Sequence, residues 1–139
     1  MTMKKYENRG ISTDALIVKN KKILLIKRKN NPFKGSWAFP GGYVDFNETV
    51  EQACRREVKE ETNMNVIKLD LLGVYSSPKR DARQVISIAF ITKATGKPRA
   101  GDDAADARWF PLNRLPRLVF DHAQMMRDYK KRLVFKPRD

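Results

Sequence analysis

The stretch from Gly41 to Met64 constrains this chain more than any other: it opens on two glycines and closes on a dense run of glutamates. No Gly or Pro interrupts Glu48 to Glu61, which predicts a helix of about four turns. Asn47 is the expected cap, Glu48 and Glu51 suit the positive N-terminal end, and Asn63 suits a left-handed exit. At about 100° per residue, Val50, Cys54, Glu57 and Glu61 fall within an arc roughly 60° wide, with Ala53 and Glu60 at its edge. Val50, Ala53, Cys54 and Val58 define the side expected to face the protein. Two or three carboxylates therefore share a half-buried side. Like charges that close repel strongly at low dielectric unless one is protonated or a cation sits among them. A divalent metal site is the first reading this suggests.

Charge along the chain fits that reading. The net charge is +13. Gly41 to Met64 holds six acids (Asp45, Glu48, Glu51, Glu57, Glu60, Glu61) and three bases (Arg55, Arg56, Lys59), a balance of −3 that leaves +16 on the other 115 residues. An acidic pocket on a basic body suits a metal-dependent enzyme for polyanions, because the field steers phosphates inward and the acids hold the cation. For any single lysine, solubility alone is the plainer reading. A chain of 139 residues suits one domain spanning 1–139. Met1 to Arg9 is charged and lacks an apolar core, so no signal peptide is expected, and apolar runs of four or five residues are too short to span a bilayer. Cys54 is the only cysteine, which excludes an intramolecular disulfide and fits a cytoplasmic setting. Cys54 itself reads as a small buried helix residue rather than a catalytic thiol.

In chain order, Ser12–Val18 and Ile23–Ile26 read as a hairpin turning at Lys19–Lys22. Lys27–Pro32 is a basic polar loop, either phosphate-binding or simply exposed. Trp37–Gly42 is a short strand ending in Pro-Gly-Gly, where glycine allows close approach of backbone to a ligand or metal. Val66–Tyr75 alternates as a strand with a possible bulge at Gly73. Ser76–Arg83 is a polar loop with three bases, and Val85–Ile91 is the clearest core strand. Lys93–Ala105 reads as a long loop delivering Asp102 and Asp103, followed by a short strand from Ala107 to Phe110. Leu112–Leu118 is turn-like. Asp121–Leu133 is a terminal helix with Ala123, Met126, Tyr129 and Leu133 on its inner side. Its many bases read as a solvated face. Strands and helices alternate without repeat or linker, a mixed α/β pattern.

The central stretch can now be written as Gly42, five residues, Glu48, seven residues, then Arg56-Glu57-Val58-Lys59-Glu60-Glu61-Thr62-Asn63-Met64. This resembles the Nudix box, G-x5-E-x7-R-E-U-x-E-E-x-G-U with U a bulky aliphatic residue. Every charged position is met, over 23 residues. Asn63 departs, standing where the family usually has glycine, and Asn is among the few other residues that tolerate positive φ. The resemblance implies an α/β/α sandwich with a central mixed β-sheet and a loop–helix–loop catalytic box. It implies hydrolysis of a nucleoside diphosphate linked to another moiety, using Mg²⁺ or Mn²⁺. By position, Glu57, Glu60 and Glu61 would be metal ligands, with the Gly41 carbonyl a further one, while Glu48 and Arg56 would form a structural ion pair. Asp103, Asp102 or a box glutamate would accept the proton from water.

Ser77–Ile91, with Pro78, Arg80-Asp81 and Arg83, looks like the ADP-ribose pyrophosphatases of that family. Gly101–Ala104 and Phe120-Asp121-His122 fit the same subgroup, while Ala82 and Gln84 depart from it. Arg28, Arg80 and Arg83 are the expected phosphate or ribose contacts, because guanidinium groups bind phosphate oxygens bidentately. His122, the only histidine, reads as a packing or capping residue at the helix start as readily as a substrate contact. The leading expectation is ADP-ribose hydrolysis to AMP and ribose 5-phosphate. Its rivals are a pyrophosphohydrolase of (d)NTPs or oxidised nucleotides, a capped or 5′-triphosphate RNA hydrolase, and a nucleotide-sensing regulator. Nucleic acid is not favoured as a partner, since the bases lack an aromatic stacking motif. A homodimer fits the subgroup.

Overall fold

A computed structural model describes residues 7–101 and 104–134. The first two strands, β1 (Ile11–Lys19) and β2 (Lys22–Arg28), form the expected hairpin, paired at Val18↔Ile23 and Lys19↔Lys22. Asn20 and Lys21 turn it with φ of 52° and 60°, the left-handed pair that matches strand twist. β3 (Trp37–Ala38) lies on β2, and β4 (Gly41–Tyr43) lies antiparallel on β1. Helix α1 (Val50–Thr62) follows, then β5 (Asn65–Tyr75), β6 (Ile86–Thr95), β7 (Ala104–Pro111) and helix α2 (His122–Val134). The sheet runs β3-β2-β1-β6-β5, with β4 also on β1 and β7 also on β2. Among the described strands β1 and β6 run parallel and the other pairs are antiparallel, so the sheet is mixed.

β1 positions the site. One of its edges is paired with β6 from Ile11 to Ile17. Along the chain it meets β4 at Ser12–Asp14 and β2 only at Val18–Lys19. Between these contacts β1 and β2 part, and the Ala15 N–H turns to the Pro40 carbonyl at 2.8 Å. A cleft opens at this fork.

Alternating side chains of the central strands build two cores. Ala15, Ile17 and Leu24 pack with Cys54, Val58 and Met64 under α1, while Leu16, Ile23 and Leu25 pack with Met125, Met126 and Tyr129 under α2. Period-two burial on both faces makes the layers helix–sheet–helix.

Several boundaries differ from expectation. The cap of α1 is Thr49, not Asn47: Gln52 N–H donates to Thr49 Oγ1 at 3.0 Å, and Thr49 N–H donates back to Gln52 Oε1 at 2.8 Å. Asn47 sits at φ 68°, outside the extended conformation a cap requires. Asn63 does take the left-handed exit, at φ 63°, with its N–H on the Lys59 carbonyl. The Lys93–Ala105 loop is shorter than expected, since β6 continues to Thr95 against Asn65 and β7 begins at Ala104. The bulge near Gly73 is present, as a register shift between Leu71 and Gly73. On α2 the buried side is His122, Met125, Met126 and Tyr129, whereas Ala123 and Leu133 are exposed. The stripe starts one residue earlier than expected because His122 itself is an inner residue. One base on α2 reaches off the helix to the sheet: Arg132 donates to the Leu71 and Leu72 carbonyls at 2.8 and 2.9 Å and covers part of the β5 edge.

Candidate active site

The fork of β1 opens into a cleft of about 290 Å³. Asp14, Gly41, Gly42, Glu57 and Glu61 line it together with Arg28, Arg80, Arg83, Phe120 and His122. Acids and arginines thus face one space from different segments.

Two glycines let the box close onto the sheet. A Cβ on Gly41 would stand 1.9 Å from the Thr13 carbonyl oxygen, so only glycine allows β4 to press on β1 there. A Cβ on Gly42 would stand 2.5 Å from the carboxyl carbon of Glu57, which lies directly over it. The Gly41 N–H donates to Glu61 Oε2 at 2.8 Å, tying the glutamate of the last helical turn to the glycine turn. Glu61 is only 6% exposed. The end of α1 is finished by the strand-side loop, where Arg99 and Gly101 N–H groups donate to the Thr62 and Glu61 carbonyls.

The crowded carboxylates have a protein cation among them. Arg56 lies 2.7 Å from Glu48, 2.8 Å from Glu57 and 3.3 Å from both Glu60 and Asp45, and it also donates to the Tyr43 carbonyl. The expected Glu48–Arg56 pair is therefore present, as part of a wider cluster. Glu60 shares the Arg56 Nη1 with Glu57, but its side chain is 43% exposed and it is not among the residues that line the cleft. Among the described residues, no three His, Cys, Asp or Glu side chains are already gathered as a metal-binding group. The donor chemistry nevertheless fits a hard cation, since Glu57, Glu61 and Gly41 all line the cleft and carboxylate and carbonyl oxygens are the donors such a cation takes. Asp102 and Asp103 lie outside the described residues.

The three arginines have different settings. Arg80 is almost wholly buried and donates to Asp121, Asp81 and the Val85 carbonyl. Burial pulls its pKa down, but the hydrogen bonds and charge of Asp121 outweigh that and leave it raised. Arg83 is half exposed; its Nη1 lies 3.2 Å from the Tyr43 hydroxyl. Arg28 donates to the Pro32 carbonyl at 2.6 Å.

Sequence reasoning missed Asp14. It accepts a short hydrogen bond from Ser87 Oγ, and its other oxygen lies 3.3 Å from His122 Nε2. His122 Nδ1 accepts the Phe39 N–H at 3.3 Å, so the ring proton belongs on Nε2, facing Asp14. His122 also stacks on Phe39, with centroids 4.6 Å apart. The buried chain Ser87–Asp14–His122–Phe39 links β6, β1 and α2 to the residue two before Gly41. The signal was present: Asp14 is the one charged residue in the run from Thr13 to Ile17, which is buried throughout. Cys54 is buried as expected, and burial, reinforced by the Asp14 charge, pushes its thiol up to about 12, far from a reactive thiolate.

The profile of the NUDIX domain matches residues 8–129. The chain belongs to the Nudix hydrolase family. An ADP-ribose pyrophosphatase of Methanocaldococcus jannaschii is 54% identical over 128 residues, covering 91% of this chain and 76% of that protein. A putative 8-oxo-dGTP diphosphatase of Bacillus subtilis is 36% identical over 113 residues, covering 80% of this chain and 72% of the relative. Among solved structures, a bifunctional NMN adenylyltransferase/ADP ribose pyrophosphatase of Francisella tularensis, complexed with AMP and a manganese ion, superposes with a TM-score of 0.78. It is 31% identical and covers 91% of this chain, which spans 42% of that longer protein. No helix among the described residues is long and apolar enough to cross a membrane.

Within the Nudix box, Arg56 and the Asp45 N–H hold the Glu48 carboxyl down to about 2, from an ordinary 4.5. A carboxyl lowered on folding stabilises the fold above its unfolded value, and that contribution disappears as pH falls through the folded value. Glu48→Gln should therefore lower the melting temperature near neutral pH. The gap from wild type should close as pH drops from 4.5 to about 2. Melting curves across that window check this; a gap independent of pH would contradict it.

Proposed function

We propose that this Nudix hydrolase cleaves ADP-ribose to AMP and ribose 5-phosphate in the presence of Mg²⁺, with Mn²⁺ able to substitute. The observation that carries the reading is the cleft itself, which is lined both by the box glutamates Glu57 and Glu61 and by Arg28, Arg80 and Arg83. The 54% identity to a protein named for ADP-ribose supports the substrate, and the manganese in the Francisella structure supports the cation.

Glu57, Glu60 and Glu61, with the Gly41 carbonyl, would hold the cation. Such an ion, when bound, lowers the pKa of water and neutralises charge on phosphate oxygens. Arg28 and Arg83 would bind the diphosphate, bringing donors that fit phosphate oxygens. Arg80, committed to Asp81 and Asp121, would act at the cleft floor by fixing the start of α2 rather than as a mobile donor. Water attacks one phosphorus of the diphosphate, forming one P–O bond as the bond to the bridging oxygen breaks. A carboxylate takes the proton that water loses; the box glutamates and Asp103 are the candidates.

The identity of the Bacillus relative keeps oxidised dGTP in competition. A panel of ADP-ribose, dGTP, 8-oxo-dGTP and capped RNA, scored for AMP, orthophosphate and pyrophosphate, decides between them. ADP-ribose should show the highest kcat/KM. Turnover of a nucleoside triphosphate with none of ADP-ribose would overturn the reading.

A further inference from the structure

Two arginines from separate segments converge on one aromatic ring at the cleft. The guanidinium carbon of Arg28, at the end of β2, lies 5.6 Å from the centroid of Phe120. That of Arg83, in the loop between β5 and β6, lies 5.7 Å from the same centroid. Both fall inside the range of about 6 Å over which a ring face attracts a cation. Arg83 is also 6.0 Å from the Tyr43 ring. Two like charges brought together this way repel; the shared ring attracts both, and Asp81, 3.6 Å from Arg83, adds a counter-charge on one of them.

Phe120 is itself held against its backbone preference. Its φ is 52°, and that of Phe33 is 62°. Bulky residues adopt this left-handed region only where their surroundings over-determine it. Here the two strained residues hold each other, ring edge to ring face at 5.1 Å. On the inner side the Phe120 ring lies 5.7 Å from His122, which is anchored through Asp14 and Phe39.

We propose that Phe120 is a positioning residue for anion recognition: its ring gathers Arg28 and Arg83 into a paired site for the diphosphate of the substrate. The ring touches no phosphate and acts through the two guanidinium groups. Holding them in place beforehand removes side-chain ordering from the cost of binding. The inference rests on the reading of the cleft as a site for a nucleoside diphosphate compound.

ADP is the test ligand, because its affinity does not depend on which bond the enzyme hydrolyses. By titration calorimetry, Phe120→Leu should weaken ADP roughly tenfold, the effect of losing two partly shielded cation–π contacts. Phe120→Tyr, which keeps the ring, should recover most of it, and the KM for ADP-ribose should rise in Phe120→Leu more than kcat falls. In an Arg83→Ala background the loss caused by Phe120→Leu should shrink by about threefold or more, because residues acting as one unit are not additive. Phe120→Met, similar in volume and lacking a ring, replaces Phe120→Leu if the latter does not fold. Equal losses with and without Arg83, or ADP affinity unchanged in Phe120→Leu, would overturn the proposal. Should wild type bind ADP and leave ADP-ribose intact, the proposed substrate fails, while the coupling between Phe120 and Arg83 is still decided by the same cycle.

Discussion

Glu61→Gln is expected to lower kcat for ADP-ribose on the order of a thousandfold, the loss of about 4 kcal/mol of transition-state stabilisation. Glu61 is buried at the cleft wall, on the last turn of α1, with one oxygen committed to the Gly41 N–H. An amide of the same shape keeps an acceptor for that N–H, so the glycine turn and the fold should survive. What disappears is a negative charge at the place where a cation would be held. The melting temperature should therefore move little while activity collapses, and raised Mg²⁺ should restore part of the rate. Near-normal turnover would refute ligation by Glu61.

Gly41→Ala should give the opposite balance, with a loss of stability as large as its loss of activity. The added methyl would collide with the Thr13 carbonyl oxygen at 1.9 Å, a backbone atom that cannot rotate away. Relief requires β4 to lift from β1, which breaks the pairing at Asp14↔Gly41 and disturbs the Gly41–Glu61 hydrogen bond. Overpacking of this kind costs about 1–3 kcal/mol, with the lost pairing added. Gly42→Ala makes a useful contrast. Its new methyl meets the far end of the Glu57 side chain, which can swing, so stability should change less while Glu57 is displaced from the cleft. Thermal melts of the two variants beside their kcat values separate these outcomes; equal stability of the two would contradict the steric account.

Much of this was legible because it is written in short-range spacing. The glutamates at 57 and 61 follow helical periodicity, so their helix and its inner side could be read directly, while Glu60, expected at the edge of that side, is exposed. The hairpin at Asn20-Lys21 and the left-handed Asn63 are equally local. The helix cap was misplaced by two residues because Thr49 and Asn47 are both good caps, and only the Gln52 side chain decides between them. Arg56 was recognised as a partner of Glu48, but not of Glu57 and Glu60, its neighbours one and four residues on along α1, nor of Asp45 and Tyr43, which depend on how the loop before α1 folds back. Asp14, His122 and Phe120 were unreadable as a group for a different reason. They join the fork of the sheet to the start of α2 through contacts far apart in sequence, which no periodicity encodes.

The central claim is that the glutamate wall of this Nudix cleft serves divalent-metal hydrolysis of ADP-ribose. The most direct measurement is an Mg²⁺ titration of metal-stripped enzyme with ADP-ribose, following AMP and ribose 5-phosphate together. The account predicts no products without a cation and equimolar AMP and ribose 5-phosphate with it. Absence of AMP at every Mg²⁺ concentration, or the same rate in the stripped enzyme, would contradict it.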